Sequence, residues 1–426
     1  MRSFHCGRSP RRSHNVCPLS IPGITGLILY NFGAGWQHRP FVTAGRHLGK
    51  VSEWPELEQG DGTSPLPRWE SSPPAAEIAL GIGGLYNAVA MAEGYDYAIL
   101  GGLRRDYIIT AQDRVHAEVL GGNAVYGAAG AGVWATTVGI IGRAGYDFQL
   151  EFLGQLERKG IHTKGITYLP ERETPISFYA YETSERRVSH NPAPHFLRLN
   201  LPLPKPLIDY ESSESARHDR HSFLPFSLRP DDLPNEMARC KAAHLGPGQF
   251  LTHFSVPVRL RELGVPLITL APSEDYLEPA YLDDLRLMLT GIDVFMPNEA
   301  QARGLFSPSR PSPWEMAEAF GDMGVPFVVV RCGERGCCLW DSESRKRWRI
   351  PCYPTRAVDT TGAGSAFCGG FLVGFERTHD PLQAALLGSV SASLTIEGTG
   401  GLFALDVLPG LPEARLRALR RRVVPL

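Results

Sequence analysis

Asp359-Thr360-Thr361-Gly362-Ala363-Gly364-Ser365-Ala366-Phe367, continued by Cys368-Gly369-Gly370, is the stretch whose reading decides the fold of this chain. Small residues from Thr360 to Ala366 permit a tight turn that gathers several backbone N–H groups at one point. The apolar positions that follow (Ala366, Phe367, Phe371, Leu372, Val373) read as the first turns of a buried helix. A glycine turn feeding a helix N-terminus is an anion site, because free N–H groups and the helix dipole both favour negative charge. Gly362, Ala363 and Gly364 would form that anion hole from backbone alone. A lone Gly-x-Gly is more often an ordinary loop-to-helix junction, and Asp359 alone is as readily a structural cap as a site residue.

Working outward, short continuous apolar runs recur. They include Tyr97 to Leu103, Ala135 to Gly142, Ala242 to Gly246, Leu267 to Leu270, Val294 to Met296 and Phe327 to Val330. Helical segments separate several of them, such as Phe148 to Lys159 and, near the end, Leu382 to Ile396. Strands buried on both faces and alternating with helices imply an α/β protein with a mostly parallel sheet, whose ligands lie beyond the carboxyl ends of the strands. Ile176 to Tyr181 reads as a β-rich strand with Arg186-Arg187-Val188 as its return, which puts small-sheet strands near 174–190. Residues 201–234, rich in Pro, Ser and His, read as an insertion loop. Residues 1–94 form an atypical or poorly ordered extension with linker chemistry, so the domain proper is expected over 95–426. The Arg-rich stretch from Arg415 to Arg422 reads as a solvated helix face.

Composition narrows the function. With 43 Lys and Arg against 45 Asp and Glu, the charge is balanced and gives no electrostatic case for nucleic acid or an acidic membrane surface. The 8 cysteines show no paired zinc spacing and read as reduced thiols, so the cytosol is the expected compartment. The first fifty residues carry six Arg and no Asp or Glu, the charge bias of a mitochondrial transit peptide, but Gly, Pro and His break any sustained amphipathic helix there. No stretch is long and apolar enough for a membrane span.

The string from Asp359 to Phe367 resembles the C-terminal signature of the PfkB (ribokinase-like) carbohydrate kinases, Asp-Thr-x-Gly-Ala-Gly-Asp. Further segments agree in the family's order. Leu100-Gly101-Gly102-Leu103-Arg104-Arg105-Asp106 resembles the first strand and turn, where an Asp bonds sugar hydroxyls, a role that falls to Asp106. Gly121-Gly122-Asn123 is similar to the segment where backbone approaches the substrate, with Asn123 as a sugar contact. Val138 to Asp147 is a loosened first signature, and Thr174-Pro175 opens the small β lid. Met296 to Gln301 resembles the Asn-x-x-Glu motif that positions magnesium and phosphate. Val330 to Gly336 resembles the glycine turn near the nucleotide. The resemblance covers roughly residues 97 to 405 and implies a three-layer α/β/α ribokinase-like fold, ATP and Mg2+ as cofactors, and a sugar-like or nucleoside-like substrate. Asn298, Gln301, Gly333, Gly336, Asp359 and Thr360 are the expected nucleotide- or magnesium-linked residues, with no direct metal ligand. Family analogy also suggests pairing of lids in a homodimer, or a protein partner.

Two positions depart from the pattern. The catalytic Asp is replaced by Ser365, and the Glu of Asn-x-x-Glu by Gln301. Ser365 cannot act as a base near neutral pH, and losing a general base typically costs about 10²–10⁴-fold in rate. Gln301 keeps an oxygen but loses the charge that would hold hydrated Mg2+. In this the chain resembles the fungal maintenance-of-killer group of PfkB-like proteins. Two functions therefore stand side by side: a kinase with a weakened metal site, and a pseudokinase that binds nucleotide or sugar, or scaffolds. A dinucleotide site at Gly127 to Gly132 lacks Gly-x-Gly-x-x-Gly order, and a hydrolase at Ser365 lacks the flanking glycines.

Overall fold

The computed structural model describes residues 94 to 425, apart from 149, 184–185, 213–219 and 307–308. The expected extension over 1–94 thus lies, but for its last residue, outside the described residues. Strand β1 (Tyr97–Leu100) leads into β2 (Arg104–Ile109) and β3 (Val115–Gly121), followed by helix α1 (Asn123–Gly132) and β4 (Val138–Gly145). Next come α2 (Leu150–Arg158), β5 (Ile161–Leu169), β6 (Ile176–Tyr181), β7 (Arg187–Val188) and the short α3 (Ala193–Arg198). The chain then alternates through β8 (Ala242–Leu245), α4 (Phe250–Glu262), β9 (Leu267–Leu270), α5 (Leu282–Leu289), β10 (Val294–Phe295), α6 (Glu299–Leu305), α7 (Pro313–Gly321) and β11 (Phe327–Arg331). A hairpin of β12 (Cys337–Asp341) and β13 (Lys346–Ile350) precedes α8 (Ala363–Thr378), α9 (Pro381–Thr395), α10 (Leu411–Arg420) and β14 (Val424–Pro425).

The main sheet has the order β14-β13-β12-β11-β10-β9-β8-β1-β4-β5. Strands β11 through β5 run parallel, and the last three at the other edge are antiparallel. Alternate residues of one strand feed opposite layers, as the period of two requires. Ala98 and Leu100 join a core with Val256, Leu285, Ala302 and Phe320 of α4 to α7. Tyr97 and Ile99 join Val125 and Ala128 of α1 and Phe152 of α2. That is a three-layer α/β/α fold. Chain order reverses between β1 and β8, so a crevice opens beyond their carboxyl ends.

Helices α1 and α8 meet through glycines. A Cβ on Gly130 would overlap the backbone of Ala366, and one on Gly369 would overlap the Gly127 carbonyl. The run from Gly127 to Gly132 is therefore a packing stripe. It draws the N-termini of α1 and α8 together at the crevice.

The second sheet, in the order β3-β2-β6-β7, is the small lid. It takes two strands from residues 104–121, well before 174–190, because β1 stops at Leu100 and the chain leaves the main sheet at Gly101-Gly102. Asp106 accordingly lies inside β2, opposite Ser177 of β6, and not in a turn. One lid face carries Tyr107, Ile109, Phe178 and Ala180, which pack on Phe196 of α3 and on Leu207. The chain thus covers its own lid. At the far end, Arg415 of α10 departs from the expected solvated face. It is buried, bonds both carboxylate oxygens of Glu397 at 2.7 Å and stacks over Tyr353.

Candidate active site

Gly122, with φ 91°, precedes α1 and turns the chain into the crevice. Asn123, expected as a sugar contact, has both ends of its amide engaged. Its Oδ1 accepts from the Gly102 N–H at 2.9 Å, and its Nδ2 donates to the Pro247 carbonyl at 2.7 Å. It clamps the two strand ends that form the crevice. Gly121 is needed for close approach, since a Cβ there would overlap the Asp106 carboxyl.

Asp106 is 1% exposed. Burial pushes its carboxyl up to about 7, against the pull of the Arg104 charge and the Gly122 N–H. Its Oδ1 has no hydrogen-bond partner among the described residues. The Ser177 hydroxyl, the Tyr126 hydroxyl and Asp359 Oδ2 are also buried without a well-aligned hydrogen bond, although Ser177 stands close enough to Asp106, and Thr399 to Asp359, to lower those carboxyls. These four atoms belong to one neighbourhood. Ser177 pairs with Asp106 across the lid, and both Asp106 and Asp359 act electrostatically on Tyr126. Burial also raises Asp359, although the Thr361 N–H, 2.9 Å from its Oδ1, opposes the shift. Buried polar atoms without a well-aligned hydrogen bond are costly and rare, so four together mark a place for a polar ligand.

The glycine turn expected to form an anion hole stands beside them. Gly362 adopts the left-handed conformation, φ 78°, and a Cβ on it would overlap the Tyr126 ring. The helix starts at Ala363, as the glycine turn requires, and the N–H groups of Gly364 and Ser365 have no backbone partner among the described residues. Ser365 is half-buried in the first turn. Thr361 shares a 2.7 Å bond with the Tyr181 hydroxyl, which ties this loop to the lid, and Thr360 closes the turn by accepting from the Ala363 N–H. Gly362→Ala should destabilise the chain by about 3 kcal/mol, from backbone strain plus the overlap with Tyr126. A urea titration of the variant checks this; a loss below 1 kcal/mol would show that the loop can relax.

Sequence reasoning missed two residues here. Tyr126 forms the wall behind Gly362. Arg331 lies over the first turn of α8, where a Cβ on Gly364 would meet its guanidinium, and its Nε donates to the Met296 carbonyl at 3.1 Å. Both contacts join segments far apart in sequence, and no local pattern signals them.

Asn298 and Gln301 cap α6 reciprocally. Asn298 Oδ1 accepts from the Gln301 N–H at 2.8 Å, and Gln301 Oε1 accepts from the Asn298 N–H at 2.8 Å. Gln301 Nε2 donates to the Pro272 carbonyl at 3.0 Å, so its side chain is fully engaged. Glu299 points away, to Arg303 and Arg335. Gly333 and Gly336, both with positive φ, make the turn from β11 to β12. No group of three or more His, Cys, Asp or Glu that could hold a metal occurs among the described residues. With Gln301 committed to a cap and Ser365 neutral, these residues do not fit a carboxylate-held Mg2+.

Residues 263–407 match the pfkB family carbohydrate kinase model. A protein of Archaeoglobus fulgidus described as an uncharacterised sugar kinase is 32% identical over 133 residues, 31% of this chain and 51% of that protein, so about half of its length is spanned. The cytidine kinase of Thermococcus kodakarensis is 24% identical over 295 residues, 69% of this chain and 93% of the enzyme. Among solved structures, an E. coli protein described as a ribokinase II, with ATP and Mg2+, superposes with a TM-score of 0.55 at 17% identity, covering 77% of this chain and 99% of that one. That likeness shows the fold. No described helix is long and apolar enough to cross a membrane. The glycine turn at the head of α8 falls within the stretch that matches the pfkB family carbohydrate kinase model, and the chain around it has the fold of the ribokinase-like structures.

Proposed function

We propose that the chain binds ATP at the N-terminus of α8 and transfers its terminal phosphoryl group to a hydroxyl of a sugar or nucleoside-like acceptor in the crevice, at a rate lowered by the loss of acid at position 365. The observation that carries this is the meeting of the α8 glycine turn with four buried polar atoms under the lid that lack a well-aligned hydrogen bond. ATP would supply the phosphoryl group. The free N–H groups of Gly364 and Ser365 would hold phosphate oxygens, and the lid would exclude water. Asp106 would orient the acceptor hydroxyl. With its carboxyl raised to about 7, it is also partly ionised near neutral pH and can take the proton. Asp359, raised as well, stands second to it. We assign the protein to the cytosol on its cysteines, all free among the described residues. The maintenance-of-killer subgroup is proposed on Ser365.

Titration calorimetry of the full chain with ATP, with and without EDTA, tests the nucleotide site. We expect binding that chelation weakens by less than about three-fold, because no carboxylate cage holds a metal. A folded chain that binds no ATP would sink the reading. The engaged side chain of Gln301 favours the second reading, a pseudokinase. A binding acceptor with no phosphorylated product by mass spectrometry would select it.

A further inference from the structure

The crevice between β1 and β8 continues into a cavity of about 300 Å³, walled by Leu103, Leu224, Phe226, Leu245 and Pro247. Its charged, amide and imidazole side chains are engaged among the described residues, with one exception. Asn123 clamps two strand ends. Arg143 bonds both carboxylate oxygens of Asp232 at 2.8 and 2.9 Å. His253 Nε2 donates to the Gly246 carbonyl at 2.9 Å, which leaves Nδ1 to accept from the Tyr276 hydroxyl at 2.5 Å. Gln249 accepts from the Leu224 N–H and donates to the Ser222 carbonyl, and Thr252 donates to the Leu228 carbonyl.

Arg104 is the exception. It opens β2, lines the cavity, is half-buried, and makes no ion pair among the described residues. It shares the inner face of the lid with Asp106, two residues on, so it stands between the cavity and the candidate hydroxyl site. A guanidinium partly removed from water beside apolar walls is unfavourable until an anion pairs with it. The other charged side chain of the wall, Arg143, already has its carboxylate. The cavity therefore combines an apolar bed with a positive charge that makes no ion pair among the described residues, and the Asp106 carboxyl on which that charge acts lies beyond its wall.

We propose that the acceptor is an anionic hydroxyl compound, a sugar acid or a sugar phosphate, whose carboxylate or phosphate pairs with Arg104 while a hydroxyl faces Asp106. This rests on the kinase reading for the hydroxyl's fate, but the anion preference can be measured without turnover. The test is calorimetry of the full chain with matched pairs: gluconate against glucose, and ribose 5-phosphate against ribose. The two pairs separate a carboxylate from a phosphate as the recognised group.

The expected result is that at least one anionic member binds ten-fold or more tighter than its neutral partner, about the worth of one charge-assisted pair. Arg104→Gln should abolish that difference, and Arg104→Lys should keep part of it. The ATP dissociation constant should stay within about two-fold in both variants, since Arg104 belongs to the acceptor side. Equal binding within both pairs, or no binding of any member, overturns the proposal. So does a fall in ATP affinity in step with the anion, which would place Arg104 at the nucleotide phosphates. If Arg104→Gln does not fold, Arg104→Lys and salt decide: a preference that does not shrink with ionic strength is not charge pairing. Anion preference without ATP binding would end the kinase reading and leave the Arg104 site standing.

Discussion

Ser365→Asp raises phosphoryl transfer by about 10²-fold or more, within the 10²–10⁴ that a positioned general base contributes. The residue lies in the first turn of α8, where the helix dipole stabilises a carboxylate, so the new acid should be ionised at neutral pH. The gain should appear in kcat, with KM for ATP little changed, because the anion hole is backbone and stays as it is. Ser365→Asn is the control: similar in shape, uncharged, and expected to leave the rate unaltered. The readout is product formation with an acceptor already shown to bind. An unchanged rate in Ser365→Asp would mean that proton removal does not limit transfer and that Asp106 or the acceptor already manages it.

The second large effect is on stability. An Asp normally near 3.8 that is raised to about 7 in the fold keeps its proton there while the unfolded chain has lost it. The folded state thus holds the extra proton between roughly pH 4 and 7, and stability falls as pH rises through that window. Three units correspond to about 4 kcal/mol at most. Asp106→Asn removes the dependence. The variant should match the parent near pH 4 and exceed it at pH 8 by up to about 4 kcal/mol, measured by urea midpoints at several pH values. Because the same carboxyl faces the proposed acceptor hydroxyl, the more stable variant should bind acceptor worse. A parent chain that gains stability over the variant from pH 5 to 7 would contradict the buried, protonated Asp106.

The fold was legible where local chemistry is strong. The glycine turn at Gly362 and the helix from Ala363 follow from small residues next to an apolar run, and the doubly buried strands follow from their uninterrupted Val, Ile and Leu. The lid was only half legible. Ile176 to Tyr181 announces a strand by composition, whereas Arg104 to Ile109 mixes charge with apolar residues and reads as a turn until its partner is known. The reciprocal cap of Asn298 and Gln301 had a signal, an Asn three residues before a Gln at a helix start, which competed with the motif reading of the same residues. Arg415 was misread because arginines in a row look solvated, and only the fold brings Glu397 to it. Tyr126 and Arg331 reach the glycine turn through contacts that no window of sequence contains.

The lid whose outer face is sealed by Phe196 and Leu207 has a kinetic consequence. A cover completed within one polypeptide would open and shut as a first-order event. Its rate constants are independent of how much protein is present, and a sample diluted a thousand-fold shuts over its ligand as fast as a concentrated one.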